Sequence, residues 1–248
     1  MANWQRAMMK VMRIKNYPVT VHSVKDLADS YRRITFHSPE AVEALEGFPT
    51  EWVRIWVPEL GSAGGKIVQR GYTVTGLRKE LNEFDLEFVL HDIPGAAGEW
   101  AKTVDPGFEL EISLTPARPK IPAKCRHLVL AGDLTALSAI NSWLGYADEL
   151  EAEKITVLLE DAHGSSLGFP QQEHEKVTSW KWIEPTPVLG TALAGELDRI
   201  LQGEPDAFVW GAGEKDLVKR LRTVIKAHEL PREAYFTQFY WIFGKAFA

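Results

Sequence analysis

The first half of the chain contains short segments in which apolar and polar residues alternate. They cover residues 19–22, 33–36, 52–57 and 84–90. Alternation with a period of two, interrupted by turn residues, predicts antiparallel strands in a barrel or a sandwich. We therefore expect an all-β region from Val19 to about Ile112.

The pattern changes in the second half, where the apolar runs are continuous. These runs cover residues 128–131, 155–159 and 208–210. The first is followed by a helical pattern that extends to Leu144, and the third by a helix that ends before Pro231. One face of that last helix carries Leu217, Leu221, Val224, Ile225 and His228. Strands that alternate with helices predict a mainly parallel α/β sheet.

Turn-forming residues divide the chain between these two patterns. Residues 61–65 are rich in glycine and predict a flexible loop, while Pro116, Pro119 and Pro122 predict an interdomain linker. We therefore expect an α+β protein of two domains. Residues 1–122 would form an antiparallel β-barrel, and residues 123–248 would form an α/β domain with a parallel sheet.

Composition restricts the protein class. No apolar stretch approaches the roughly 20 residues of a membrane span, and the N-terminus lacks the apolar run of a signal peptide. The single cysteine, Cys125, excludes an internal disulfide and a four-cysteine iron–sulfur cluster. Residues 125–248 carry 18 acidic against 12 basic residues, which argues against nucleic acid as a partner. A cytoplasmic monomer without a bound metal ion is expected.

The segment Arg70-Gly71-Tyr72-Thr73, followed by His91 and the turn 95–98, contains the groups that a flavin dinucleotide needs. An arginine binds the pyrophosphate, an aromatic ring packs on the isoalloxazine, and a hydroxyl lies beside N5. A turn of small residues lets backbone N–H groups approach a phosphate. Each feature also has a plain structural explanation, such as a turn before a strand or a histidine at a strand end.

Two turns in the second half follow apolar strands. They are Gly132-Asp133-Leu134-Thr135 and Gly211-Ala212-Gly213. Open α/β sheets bind nucleotides at the carboxyl ends of their strands, although neither turn is a Rossmann fingerprint. Both can equally be tight strand-to-helix turns, with Asp133 as a helix N-cap.

Five segments in the same order resemble the siderophore-interacting protein family, the FAD-dependent ferric-siderophore reductases of the ferredoxin-reductase superfamily. The segments are Arg70-Gly71-Tyr72-Thr73-Val74, Phe88-Val89-Leu90-His91 with residues 94–101, residues 130–140, Val209-Trp210-Gly211-Ala212-Gly213-Glu214, and Phe239-Tyr240-Trp241. The resemblance covers most of the chain. It implies that the first domain binds FAD and the second binds a nicotinamide cofactor.

The resemblance also implies roles for individual residues. Tyr72 and Thr73 would lie at the reacting part of the flavin, and the tail after Tyr240 and Trp241 would lie close to it. The cofactor-binding set it implies is Arg70, Tyr72, Thr73, Val74, His91, Ala96, Ala97, Gly98, Trp100, Asp133, Thr135, Gly211, Gly213, Tyr240 and Trp241. The cations Lys66, Arg118 and Lys245 would attract an anionic ferric siderophore.

Some positions depart from the family pattern. Thr75 stands where an arginine is usual, and Leu134 stands where a glutamate is usual. Thr115-Pro116 replaces a Gly-Pro turn, and Ile242-Phe243 replaces basic residues after Tyr240-Trp241. These differences affect the substrate pocket more than the flavin site.

The activity that the resemblance implies is reduction of Fe(III) to Fe(II) in a ferric siderophore, with NADPH or NADH as donor. Glu160, at the end of the second apolar strand, would favour NADH if it bound the adenosine ribose, but it can also cap the strand in solvent. Two alternatives stay open. One is a flavin-dependent reductase of another acceptor, and the other is a non-catalytic siderophore-binding protein.

Overall fold

The computed structural model describes residues 15–58, 67–91, 95–114, 118, 125–161 and 168–244. The chain divides into two compact units, the first ending at Arg118 and the second running from Pro119 to Phe247. The glycine loop at 61–65 and the linker prolines Pro116, Pro119 and Pro122 lie outside the described residues.

The first unit contains a closed six-stranded barrel. Its strands are β1 (Asn16–Ala28), β2 (Tyr31–His37), β3 (Trp52–Pro58), β4 (Ile67–Arg78), β5 (Glu83–Val89) and β6 (Glu109–Leu114). They are joined in the order β1-β2-β5-β4-β3-β6, and every pair is antiparallel. The predicted antiparallel barrel is therefore confirmed.

Alternate residues of the strands fill the barrel. Ile34, Phe36, Phe84, Leu86 and Phe88 are completely buried, and the rings of Phe36 and Phe84 stack with centroids 5.4 Å apart. This alternation is the period of two seen in the sequence, because successive strand side chains point to opposite faces.

Among the described residues, two short α-helices and a 3-10 turn, Lys79–Leu81, interrupt the β-structure. Helix α1 (Pro39–Ala44) begins at Ser38, whose side chain accepts a hydrogen bond from Ala41 N, and helix α2 (Ala96–Thr103) begins at Gly95. The prediction of an all-β region was therefore wrong over these segments. Helices of six and eight residues span about two turns, which is too short to show a helical period.

The second unit is a five-stranded parallel sheet with helices. The strands are β7 (His127–Asp133), β8 (Lys154–Glu160), β9 (Val177–Ile183), β10 (Phe208–Glu214) and β11 (Tyr235–Trp241), in the order β11-β10-β7-β8-β9. The helices are α3 (Leu137–Leu144), α4 (Thr191–Gly203) and α5 (Lys215–Ala227). The predicted α/β domain with a parallel sheet is confirmed.

Helices α4 and α5 cover one face of this sheet. Leu193, Leu197 and Leu201 of α4 join Leu217, Leu221 and Ile225 of α5 in one buried cluster with Val129, Leu158 and Val209 of the strands. Burial of this apolar area is the main stabilising contribution here. None of the helices among the described residues combines the length and the apolar character that crossing a bilayer requires.

Buried His127 gives the second unit a dependence on pH. Its Nε2 lies 2.8 Å from Thr156 Oγ1, and its Nδ1 lies 2.8 Å from the Glu204 carboxylate. Burial lowers the pKa of His127 below the ordinary 6.5, Lys154 lowers it further, and Glu204 opposes the shift. A lowered histidine pKa means that the unfolded chain binds the proton more readily, so stability is lost as the pH falls below 6.5.

We predict that His127→Gln removes part of this acid sensitivity. The free energy of unfolding, measured by urea denaturation between pH 5 and 7, should fall less steeply in the variant, with about 1.4 kcal/mol per pH unit as the limit for one proton. His37→Gln, at an exposed position, is the matched control and should behave like the native protein. Equal slopes for native and His127→Gln proteins would contradict the prediction.

Candidate functional site

In the pairing of β4 with β3, the side chains of the Arg70-Gly71-Tyr72-Thr73 segment alternate between the two faces of the strand pair. Thr73 lies opposite Trp52, and Gly71 lies opposite Arg54. Residues directly opposite in an antiparallel pair share a face, so these four residues lie together. The intervening Tyr72 points to the other face and packs against the barrel core.

Tyr72 is the first member of an aromatic chain that joins β4 to α2. Its ring centroid is 4.2 Å from that of Phe88, which is 5.8 Å from Trp100. Burial raises the pKa of Tyr72 far above its ordinary value, so its hydroxyl stays protonated and neutral. Tyr72 and Trp100, both in the predicted site, are thus linked through the Phe88 ring.

Gly71 makes room for the ring of Trp52. A Cβ at Gly71 would lie 3.0 Å from Trp52 Cε3 and Cζ3, which is closer than ordinary van der Waals contact. The Arg54 guanidinium in turn lies 4.5 Å from the centre of the Trp52 ring. The strand pair therefore holds a cation on the same face as Thr73.

Arg54 was not among the residues predicted from sequence. Its guanidinium is half-buried, and this burial lowers its pKa, although an arginine remains charged at neutral pH. Its position depends on the Trp52 ring that it stacks on and on Gly71, which makes room for that ring. Gly71 and Trp52 come together only through the register of β3 and β4. A single sequence does not reveal that register.

The start of α2 has open space at Gly98 and no side-chain cap. Gly95 offers no side-chain cap, and the first N–H groups of any helix lack intrahelical partners. A Cβ at Gly98 would meet no atom within 4 Å, while one at Gly95 would lie 3.7 Å from His91 Cε1. The predicted residues Ala96, Ala97, Gly98 and His91 are thus gathered around a helix start that suits an anion.

Several polar groups in this unit are suited to a large polar ligand. Arg70 donates to Gln69 O at 2.7 Å and forms no ion pair with a described carboxylate. Gln69 Oε1 and Trp100 Nε1 are buried without a hydrogen-bond partner in the described part of the chain. Because buried polar groups are normally paired, these residues fit FAD, which brings phosphates and a polar ring system.

Of the three cations predicted to attract the substrate, only Arg118 lies among the described residues. Lys66 and Lys245 lie outside the described residues. Arg118 forms an ion pair with Glu46 and lies 5.0 Å from the centre of the Phe48 ring. Both charged side chains are more than half exposed, so this pair contributes little to stability.

In the second unit, the predicted residues meet at the carboxyl ends of β7, β10 and β11. Asp133 is buried and accepts hydrogen bonds from Thr135 N at 2.9 Å, Glu214 N at 2.6 Å and Trp241 Nε1 at 3.0 Å. The Thr135 hydroxyl also donates to it. Burial raises the pKa of Asp133, and these hydrogen bonds oppose the shift.

The other predicted residues there also make contacts within the unit. A Cβ at Gly213 would lie 2.6 Å from Asp133 Oδ2, and one at Gly211 would lie 2.9 Å from Leu221 Cδ1. Gly213 also has a φ of +141°, so its backbone favours glycine, whereas the Gly211 contact is with the mobile end of the Leu221 side chain. Tyr240 is half-buried beside Trp241 at the end of β11. Among the described residues, no group of three or more His, Cys, Asp or Glu side chains can hold a metal ion.

Glu160 differs from both expectations. It is 2% exposed, so it does not cap its strand in solvent. Its carboxylate accepts hydrogen bonds from Gly190 N at 2.6 Å and Leu193 N at 3.1 Å, which places it at the N-terminus of α4. Burial raises its pKa. Because the Glu160 carboxylate is buried against these backbone N–H groups, its position lends no support to the argument for NADH from a ribose contact.

We predict that Gly71→Val destabilises the first unit by about 1–3 kcal/mol, because the new side chain overlaps the Trp52 ring. Urea denaturation followed by far-UV circular dichroism measures this change. Gly195→Ala, on α4 where a Cβ meets no atom within 4 Å, is the control and should stabilise by about 0.5–1 kcal/mol. Unchanged stability of Gly71→Val would show that Trp52 does not need this space.

Comparison with known protein families gives a match for each unit. Residues 24–119 match the siderophore-interacting FAD-binding domain, and residues 125–244 match the siderophore-interacting protein domain. A solved structure, the siderophore-interacting protein SipS from Aeromonas hydrophila, is 26% identical with a TM-score of 0.77. That comparison covers 94% of this chain and 93% of the other.

Two curated relatives carry names that bear on function. The mycobactin import ATP-binding/permease protein IrtA of Mycolicibacterium smegmatis is 28% identical over 98% of this chain, but the chain spans only 28% of that protein. The ferric vibriobactin reductase ViuB of Vibrio cholerae is 31% identical over 194 residues, which are 73% of this chain and 66% of the relative. Together with the barrel, the parallel sheet and the two domain matches, these likenesses show that the chain belongs to the siderophore-interacting protein family.

Proposed function

We propose that the protein is an FAD-dependent reductase that takes electrons from NADH or NADPH and reduces the Fe(III) of a ferric siderophore. The observation that supports this most is the FAD-binding domain match over residues 24–119, which contains the Arg70–Thr73 segment and the open start of α2. The likeness to a protein named as a ferric vibriobactin reductase supports the acceptor.

The residues of the first unit suit the parts of FAD. Arg70 and the first turn of α2 would bind its phosphates, since both offer positive charge or unpaired N–H groups. Tyr72 and Thr73, with Val74 beside them, would hold its ring, and His91 and Trp100 would lie at its edge. When bound, FAD supplies the redox chemistry, accepting two electrons from a nicotinamide and passing single electrons to iron.

The protein's own groups have positioning roles in this proposal. Tyr72 stays neutral, so it places no negative charge against the ring. The Phe88 and Trp100 rings behind it hold its orientation. The proposed reaction transfers electrons through the cofactor and forms no covalent bond between substrate and protein. It therefore needs no general acid or nucleophile from the protein.

In this proposal, Arg54 supplies a positive charge that attracts the substrate. Its stacking on Trp52 holds it on the face that also carries Thr73. Siderophores bind Fe(III) with hard oxygen donors, and many such complexes are anions, so a positive charge near the reducing group raises their local concentration. Lys66, Arg118 and Lys245 remain proposed contributors to the same attraction.

Partners and compartment complete the proposal. The protein would act as a monomer in the cytoplasm.

Burial raises the pKa of Cys125 to about 11, so the thiol stays protonated. The buried Glu160 carboxylate supports no preference between NADH and NADPH.

An anaerobic titration tests the proposed function. The purified protein should be yellow, the colour should bleach on addition of NADH or NADPH, and a ferric siderophore should restore it. Bleaching without recovery would favour a reductase of another acceptor. A colourless protein that binds the ferric complex would favour a non-catalytic siderophore-binding protein.

We predict that Arg54→Ala raises the KM for an anionic ferric siderophore about fivefold, the effect of losing roughly 1 kcal/mol of charge attraction. The dependence of KM on salt should also flatten, while flavin reduction by nicotinamide stays unchanged. Steady-state kinetics at several ionic strengths measure both effects. Arg54→Lys, which keeps the charge, is the control. An equal change with a neutral ferric complex would count against an electrostatic role.

A further inference from the structure

The strand order of the second unit defines where a nucleotide would be expected. The chain runs outward from β7 to β8 and β9, then returns to place β10 on the other side of β7. In open α/β sheets of this order, the ligand lies in the crevice at the carboxyl ends of the two strands where the direction reverses. Here those strands are β7 and β10. A dinucleotide there usually rests its pyrophosphate on a helix N-terminus.

Buried carboxylates occupy the N-termini of two helices at this edge, α4 and α5. Glu214 ends β10, is 2% exposed, and accepts hydrogen bonds from Leu217 N at 3.3 Å and from Asp216 N at the start of α5. Glu160 ends β8 and occupies the start of α4 in the same way. N–H groups at the starts of α4 and α5 that could receive a phosphate are therefore already bound.

A third carboxylate bridges the strands across the crevice. Asp133, at the end of β7, accepts from Glu214 N on β10 and from Trp241 Nε1 on β11. Glu214 Oε1 accepts from Phe243 N at 3.1 Å, which fixes the residues that follow β11. Asp133 and Glu214 thus tie three strand ends together.

The backbone itself leaves little space at the same point. A Cβ at Gly132 would lie 2.4 Å from Ala212 O and 2.6 Å from Ala136 Cβ. Because β7 and β10 are paired neighbours, this close contact holds their ends and the turn after β7 together. The Asp133 and Glu214 carboxylates are therefore carried by closely packed backbone.

We propose that Asp133, Glu214 and Trp241 exclude the pyrophosphate of a nicotinamide dinucleotide from this crevice, so that the adenosine diphosphate half of the donor contributes no affinity. The proposal rests on the proposed function, since it concerns that reaction's donor. It makes these residues determinants of donor specificity. The dihydronicotinamide and its ribose are then the parts of the donor that matter.

Direct binding is the first test. ADP-ribose, which carries the pyrophosphate without the nicotinamide, is titrated into the FAD-loaded full-length protein in a calorimeter. We expect no saturation up to about 5 mM, which corresponds to a binding free energy weaker than about −3 kcal/mol. A Kd below about 100 µM would overturn the proposal.

Variants at α5 test the role of the bound helix start. Glu214→Ala frees the N–H groups of Asp216 and Leu217 and removes a charge, so ADP-ribose affinity should rise at least about tenfold. Asp216→Ala removes an exposed charge from the same turn but leaves the Glu214 contacts, so it should give no gain. No gain with Glu214→Ala, or equal gains with both, would overturn the role of Glu214.

Circular dichroism must first show that Glu214→Ala is folded, because it loses a helix cap. If it is not, Glu214→Gln replaces it, with a smaller expected gain because the amide keeps a capping oxygen. Absence of any gain in a folded Glu214→Gln protein would then count against the proposal.

A comparison of donors separates this proposal from the proposed function. NADH and reduced nicotinamide riboside, which has no phosphate, should reduce the flavin with second-order rate constants within about tenfold of each other. A preference for NADH of 100-fold or more would overturn the exclusion and leave the reductase function intact. Failure of both donors would overturn the proposed donor, while the ADP-ribose titration would still decide the exclusion.

Discussion

The pairing of β4 with strands on both sides is the constraint on which the first unit's site depends. In the closed barrel β4 lies between β3 and β5, so its register is fixed along both edges. A slip of one residue would exchange the faces of every side chain. Tyr72 would then leave the aromatic core, and Thr73 would leave the face that it shares with Trp52.

The sequence predicted the architecture better than the details of either unit. Alternating runs predicted the barrel, and buried runs predicted β7, β8 and β10, because those signals depend only on neighbours along the chain. The edge strands β9 and β11 were not predicted. Their residues are largely half-exposed, as in Val177–Ile183, so they lack the continuous apolar run of a central strand.

The candidate site was predictable only where it is continuous in sequence. The segment from Arg70 to Val74 and the turn before α2 are such cases. Arg54 was missed because its significance depends on Trp52 and Gly71 across a strand pair. Glu160 was misinterpreted for a related reason, since its partners Gly190 and Leu193 are about 30 residues away.

The carboxyl end of α2 is hydrogen-bonded to strand β2 of the barrel. Arg32 on β2 donates to Ala101 O at 2.8 Å and to Lys102 O at 3.0 Å, so the helix is tied to the barrel wall at the end opposite its open turn. An anion bound at that open turn would therefore contact a helix that is hydrogen-bonded to β2. Thermodynamic linkage then requires that such a ligand stabilise the barrel as a whole, by an amount that grows with its free concentration.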